Sequence, residues 1–203
     1  MKSYWCFVFV LVFSFAFIAN LSAQTNLVIN GDIEMIEPGF WQKLNGTTEC
    51  TWATDEKAAT FNSRRSFKIE KSAASADVIG WKSDNNANKL WNNAVAATYS
   101  FSFSAKTSGV NTSPANDDAR IGVRYTFYDE SASLIGEKYV WVDQSTADTD
   151  WSDYSDGLLV STVPEEVYAE LIMGKDATGT VWFDNVGCGS DPWSMGIFNG
   201  DAE

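Results

Sequence analysis

Along most of the chain, apolar and polar residues alternate one for one, and Gly, Asn, Asp, Ser and Pro separate the short apolar runs. The clearest stretch is Thr98–Lys106. Tyr99, Phe101, Phe103 and Ala105 fall on one face there, and Ser100, Ser102, Ser104 and Lys106 on the other. A period of two is that of a strand with one buried face. Ala119–Asp129 repeats it, setting Ile121, Val123, Tyr125 and Phe127 against Arg120, Arg124, Thr126 and Tyr128. Ser66–Glu70 alternates with Phe67 and Ile69 inward, and Leu134–Asp143 places Tyr139 and Trp141 on one side and Val140 and Val142 on the other. Further strands are expected over Asn26–Asn30, Glu49–Ala53, Asp77–Lys82, Trp151–Val160, Val167–Met173 and Thr180–Val186. No long helical period interrupts them. Roughly nine or ten short strands with turn residues between them predict an all-β antiparallel sandwich or barrel.

Residues 1–23 depart from this pattern. Lys2, an apolar run from Phe7 to Ile18, and Leu21-Ser22-Ala23 before Gln24 read as a secretory signal. The run is too short for a membrane span. An exported chain, secreted or held at the cell surface and free of the membrane after cleavage, is therefore expected. Residues 24–189 make one domain, and 190–203 a linker. The tail Ile197-Phe198-Asn199-Gly200-Asp201-Ala202-Glu203 nearly repeats Ile29-Asn30-Gly31-Asp32-Ile33-Glu34, as the cut-off start of a second similar module would. Coincidence is the plain alternative.

Charge and composition narrow the chemistry. The chain has 14 Lys+Arg against 27 Asp+Glu, a net charge of −13, and no histidine. Such acidity argues against nucleic acid, whose phosphates need basic partners. Without histidine there is no Ser-His-Asp triad and no His-ligated zinc. The adjacent acids Asp117-Asp118 and Glu165-Glu166 fall in expected loops, and no two acids stand two apart on a strand among aromatic neighbours. A glycosidase needs such a facing pair. Cys50 and Cys188 remain after the leader. In an exported chain they form either a disulfide or two buried thiols.

The last expected strand carries Asp184 between bulky apolar residues. A charge there is costly unless paired. Basic residues are sparse around it, so a bound cation is a candidate partner, with the acidic stretch Asn26–Glu34 at the other end of the chain as its second side.

Several segments together resemble a CenC-type carbohydrate-binding module. They are Asn30-Gly31-Asp32-Ile33-Glu34, Arg65-Ser66-Phe67-Lys68-Ile69, Tyr99 to Lys106, Phe127-Tyr128-Asp129, Asp150-Trp151 and Thr180 to Val186. They run in order from Asn26 to Val186. The resemblance implies a galactose-binding-like jelly roll, of the kind attached to secreted polysaccharide-degrading enzymes. It also implies a structural calcium: Glu34 and Asp184 supply carboxylates, and Asp32 and Ser66 further oxygens. Calcium takes six to eight such ligands. The alternative is that Glu34 and Asp184 are solvated edge carboxylates, or pair with Arg64 and Arg65.

Sugar recognition needs flat apolar platforms beside polar groups. The candidates are Arg124, Tyr128 and Trp141 on strands, opposite the apolar face, and Trp81 and Trp91 around an Asn-rich loop. The expected function is non-catalytic binding of a polysaccharide or oligosaccharide, within a chain that could carry further modules. A cell-surface or protein-binding sandwich without a sugar site is the alternative, and a hydrolase or lyase a third.

Overall fold

The computed structural model describes residues 33, 40–46, 48–58, 64–83 and 95–190. The leader, the strand expected over Asn26–Asn30, Asp32, Glu34, Trp91 and the tail after 190 lie outside the described residues.

Ten strands follow in order: β1 (Trp41–Leu44), β2 (Cys50–Ala53), β3 (Ser66–Lys71), β4 (Ile79–Ser83), β5 (Ala97–Ser108), β6 (Ile121–Tyr128), β7 (Leu134–Trp141), β8 (Thr149–Val160), β9 (Glu166–Met173) and β10 (Gly179–Gly189). They form two five-stranded sheets, β1-β4-β9-β6-β7 and β2-β3-β10-β5-β8, and their pairings are antiparallel. The fold is the expected β-sandwich.

The alternating residues close it. Tyr99, Phe101, Phe103 and Ala105 of β5 and Ile121, Val123, Tyr125 and Phe127 of β6 are all buried. They meet between the sheets: Phe101 stacks on Tyr125 at 4.5 Å, and Tyr99 tilts against Phe127 at 4.8 Å. Each ring so buried contributes on the order of 1.5–3 kcal/mol. The Tyr125 hydroxyl donates to the Ser102 carbonyl at 3.0 Å, so its one polar group is satisfied inside the core. Phe67 packs between Trp41 and Trp81 at the other end.

Two readings of the strands change, and one open alternative is decided. The stretch Trp41–Leu44, which is not among the expected strands, pairs with β4 as the short edge strand β1. The expected strand start at Ala119 is replaced by a 3-10 turn over Asp117–Ala119, capped by the Asn116 side chain, and β6 begins after it. Cys50 and Cys188 are both buried free thiols, not a disulfide. The register explains this. Cys50 pairs with Ile69, which pairs with Val181, whereas Cys188 lies near the far end of β10 against Phe101. At about 3.3 Å per residue the two sit roughly 20 Å apart along the strand, against the 4.4–6.8 Å between Cα atoms that a bridge needs.

Candidate functional site

The first sheet turns its outer face away from the core, and its registers set that face in rows across the strands. One row is Gln42–Lys82–Glu170–Arg124–Tyr139. The next is Leu44–Gly80–Ile172–Gly122–Trp141. Tyr168, Thr126 and Glu137 lie on the other side of the charged row.

Val140 and Val142 are buried, so Tyr139 and Trp141 face outward as the alternation predicts. Their rings stack at 4.9 Å and 20°. Tyr139 is 37% exposed. Arg124 lies 5.8 Å from the Tyr139 ring centroid, and Arg120 lies 5.5 Å from that of Trp141. Trp141 also leans over Gly122: a Cβ there would stand 2.8 Å from Trp141 Cε3. That close approach needs a residue without a side chain.

Arg124 links two acids. Its Nε and Nη2 each lie 2.7 Å from Glu137 Oε1, and its Nη1 lies 3.2 Å from Glu170 Oε2. Glu170, 6% exposed, also pairs with Lys82 Nζ at 3.1 Å. Burial opposes the Arg124 charge, but Glu170 and the hydrogen bond to Glu137 outweigh it and raise its pKa. Lys82 and Arg124 of the row, with Glu170 and the adjacent Glu137, thus make a cluster of two cations and two anions bonded to one another. Burial also raises the Tyr139 pKa, so its phenol stays neutral and can donate.

Of the sugar-facing candidates, the structure brings Arg124 and Trp141 together. Tyr128 is half-buried on the same face, edge-on to Tyr168 at 5.7 Å. Trp81 is a correction: it is 3% exposed and stacked on Phe67 at 4.4 Å, so it belongs to the core and offers no ring face to a ligand. In β4, Ile79, Trp81 and Ser83 point inward, and Gly80 and Lys82 outward. Trp91 lies outside the described residues. Sequence reasoning missed Lys82, Glu137 and Glu170. Each is an unremarkable polar residue on its own strand; the pairing of β6 with both β7 and β9 gathers Glu137 and Glu170 around Arg124, and that of β4 with β9 adds Lys82.

Beyond Trp141 the face drops into a depression of about 330 Å³ lined by Ser113, Pro114, Arg120, Trp141, Val142, Asp143, Gln144 and Ser145. Gln144 fixes its wall. The buried amide accepts from Ile121 N at 3.0 Å and donates to the carbonyls of Asn111 and Ala119 at 3.0 and 3.2 Å. Ser113 N donates to the Gln144 carbonyl at 2.9 Å, and Val110 N to that of Ala147 at 3.0 Å.

Asp184 is 0% exposed. Its Oδ2 accepts from Ala58 N at 3.1 Å and its Oδ1 from Asn185 N at 2.8 Å. Backbone amides therefore compensate part of the buried charge. Ser66, also buried, lies one step beyond the Phe183–Phe67 pair, across from Asp184, and donates to the Glu56 carbonyl at 2.7 Å. Among the described residues no group of three or more acids, cysteines or histidines is placed to hold a metal.

No protein-family model matches the sequence. No curated protein matches it either. Among solved structures, the chain is similar to the enzymatically active domain of bacteriophage CBA120 tailspike protein 4, at 14% identity and a TM-score of 0.58 over 81% of this chain and 21% of that one. It is similar to the CBM22-1–GH10 portion of Clostridium thermocellum endo-1,4-beta-D-xylanase 10B, complexed with xylohexaose, at 17% identity and 0.52 over 83% and 28%. It is also similar to the CBM22-1 xylan-binding domain of Paenibacillus barcinonensis Xyn10C, at 11% identity and 0.51 over 78% and 90%. The chain thus spans 21% and 28% of the two larger proteins and most of the single module. At these identities the likeness shows the fold alone.

Proposed function

We propose that this chain is a secreted, non-catalytic carbohydrate-binding module of the CenC type. It holds a polysaccharide on the outer face of the β1-β4-β9-β6-β7 sheet and brings an attached polysaccharide-degrading enzyme to it. The observation that carries this reading is the stacked pair Tyr139–Trp141 beside the self-neutralised cluster Lys82–Glu170–Arg124–Glu137. Aromatic rings give a sugar its apolar contact. Fixed side-chain donors and acceptors hydrogen-bond its hydroxyls without demanding charge on the ligand. That the similar structures include two xylan-related modules of the same fold supports the reading.

Glu137 and Glu170 flank Arg124, and two carboxylates flanking a site invite comparison with a glycosidase. Such an enzyme needs one of them protonated as the acid. Both are instead bonded to the same guanidinium, an arrangement that suits orienting hydroxyls rather than moving protons.

The reading includes a structural calcium. Asp184 and Ser66 are both buried and offer hard oxygens on adjacent strands. With Asp32 and Glu34 they would hold the ion, which supplies charge compensation and ties the two ends of the domain together.

The test is affinity electrophoresis of the purified chain in gels containing neutral plant, algal and microbial polysaccharides. Retardation by at least one gel, lost in Tyr139→Ala, is expected. Free migration in every gel would sink the proposal and favour a protein-binding sandwich.

A further inference from the structure

Resting on the polysaccharide reading above, we propose that the depression beside Trp141 is a subsite for a single uncharged sugar that branches from the bound backbone. Position is the first argument. Gly122 pairs with Trp141 and Arg124 with Tyr139, so the depression lies on the far side of Trp141 from Tyr139, toward Arg120 and Asp143. A chain lying on the aromatic and charged rows crosses the strands. The depression is displaced along the strands, to the side of that path, where a backbone unit does not reach and a substituent does.

Size is the second. At about 330 Å³ the space is at the small end of ligand sites and suits one sugar ring. Its walls are already in place, because Gln144 bonds Asn111 and Ala119 of the facing loop and Ile121 at the start of β6, and the two loops bond each other at Ser113 and Val110. Little ordering is then needed on binding.

Chemistry is the third. Trp141 gives an apolar wall that is already part of the sheet face. Arg120 brings guanidinium donors, held over the Trp141 ring at 5.5 Å. Its Nε stands 3.5 Å from Asp117 Oδ1, an ion-pair distance without hydrogen-bond geometry. Asp143 brings a carboxylate whose Oδ1 accepts from Ser145 N at 2.9 Å, leaving Oδ2 as an acceptor. The Ser113 and Ser145 hydroxyls both donate and accept. One cation and one anion line the space, so it offers no net charge to a uronate or an amino sugar. Its donors and acceptors match hydroxyls.

The test uses isothermal titration of the purified chain with matched pairs: a linear xylo-oligosaccharide against the same backbone carrying one arabinose, and linear mannan against galactomannan. The branched member of one pair should bind about tenfold tighter, the effect of one or two neutral hydrogen bonds. Ser145→Trp, which fills the depression, should erase that difference and leave the linear member's affinity and the melting temperature unchanged. Arg120→Met, which keeps an apolar stem over Trp141, should erase most of it. Equal binding of both members by the wild type would overturn the branch subsite while leaving the polysaccharide reading intact. So would an equal loss on the linear member in Ser145→Trp, because a chain end would then be the occupant. Binding of neither pair would overturn the branch subsite as stated for these backbones, while the polysaccharide reading would stand or fall on the gel panel above.

Discussion

Glu170 Oε2 lies 3.2 Å from Arg124 Nη1 and Glu170 Oε1 lies 3.1 Å from Lys82 Nζ, so one buried carboxylate joins the cations of both neighbouring strands. Glu170→Ala takes the carboxylate from Lys82 and leaves Arg124 with Glu137 alone. Removing one partner of a fully buried pair costs about 3–5 kcal/mol. Arg124 and Lys82 keep 32% and 28% of their side-chain surface in water, so screening reduces the expected loss to roughly 1–3 kcal/mol. Urea unfolding checks this. A midpoint unchanged from wild type would show that the row contributes nothing to stability.

Trp81 and Tyr139 should separate cleanly. Trp81→Ala empties a core site stacked on Phe67, and a buried Trp→Ala change costs on the order of 3–5 kcal/mol. The fraction that stays folded should bind any retained polysaccharide as wild type does. Tyr139→Ala should leave the melting temperature within a degree or two and weaken binding. The reverse pattern, with Trp81→Ala stable and Tyr139→Ala unfolded, would invert the two assignments.

The cysteines should behave as sealed thiols. Burial pushes the Cys50 thiol up to about 11 and raises Cys188 too. Neither should react with iodoacetamide at pH 8 until denaturant is added, and reductant should not shift the melting temperature. Because the folded pKa lies above the unfolded one, the stability contributed by Cys50 is complete below pH 9 and is lost as pH rises toward 11. Rapid labelling of the native chain would contradict the burial.

If an ion sits beside Asp184, the wild-type melting temperature rises with calcium and falls with chelator. A hundredfold excess over Kd adds about 3 kcal/mol. Asp184→Ala is a poor test alone, since it also removes the acceptor of Ala58 N. The decisive comparison is therefore wild type with and without chelator, and coincident curves would dismiss the ion.

Lys71 is a further test of the loop that carries Arg120. Its Nζ donates to the carbonyls of Gly174 and Lys175 at 2.6 and 2.9 Å, and Gly174 N and Asp176 N donate in turn to the carbonyls of Arg120 and Asp118. Lys71→Met should destabilise the fold by about 1–3 kcal/mol, the range for hydrogen bonds to a charged group and for carbonyls left unpaired. It should also speed hydrogen exchange at the Gly174 and Asp176 amides. Exchange as slow as in wild type would mean that the turn holds itself.

Much of the fold was legible because β5 and β6 alternate without a break, and a period of two admits one reading. The outward placement of Tyr139 and Trp141 followed from Val140 and Val142 by the same rule. Trp81 is the exception: its place beside the Asn-rich loop suggests a ligand-facing ring, whereas the alternation of Ile79, Trp81 and Ser83 with Gly80 and Lys82 puts it inside. β1 escaped notice because four residues with Gln42 and Lys43 in the middle carry little pattern. Glu137 and Glu170 were not legible at all: they are far apart in sequence, and only tertiary register makes them neighbours of one arginine.

The two sheets share an order of assembly. β9 is the middle strand of one and β10 the middle strand of the other. Without them the first sheet is two separate hairpin-sized pieces, β1-β4 and β6-β7, and the second is likewise β2-β3 and β5-β8. Such fragments are marginal in water. No complete sheet can therefore exist until nearly all of the described chain has been synthesised. Closure must then bring together strands distant in sequence, a topology associated with folding in milliseconds to seconds. A growing chain therefore holds only separate hairpins, with no closed sheet, until its last two strands arrive.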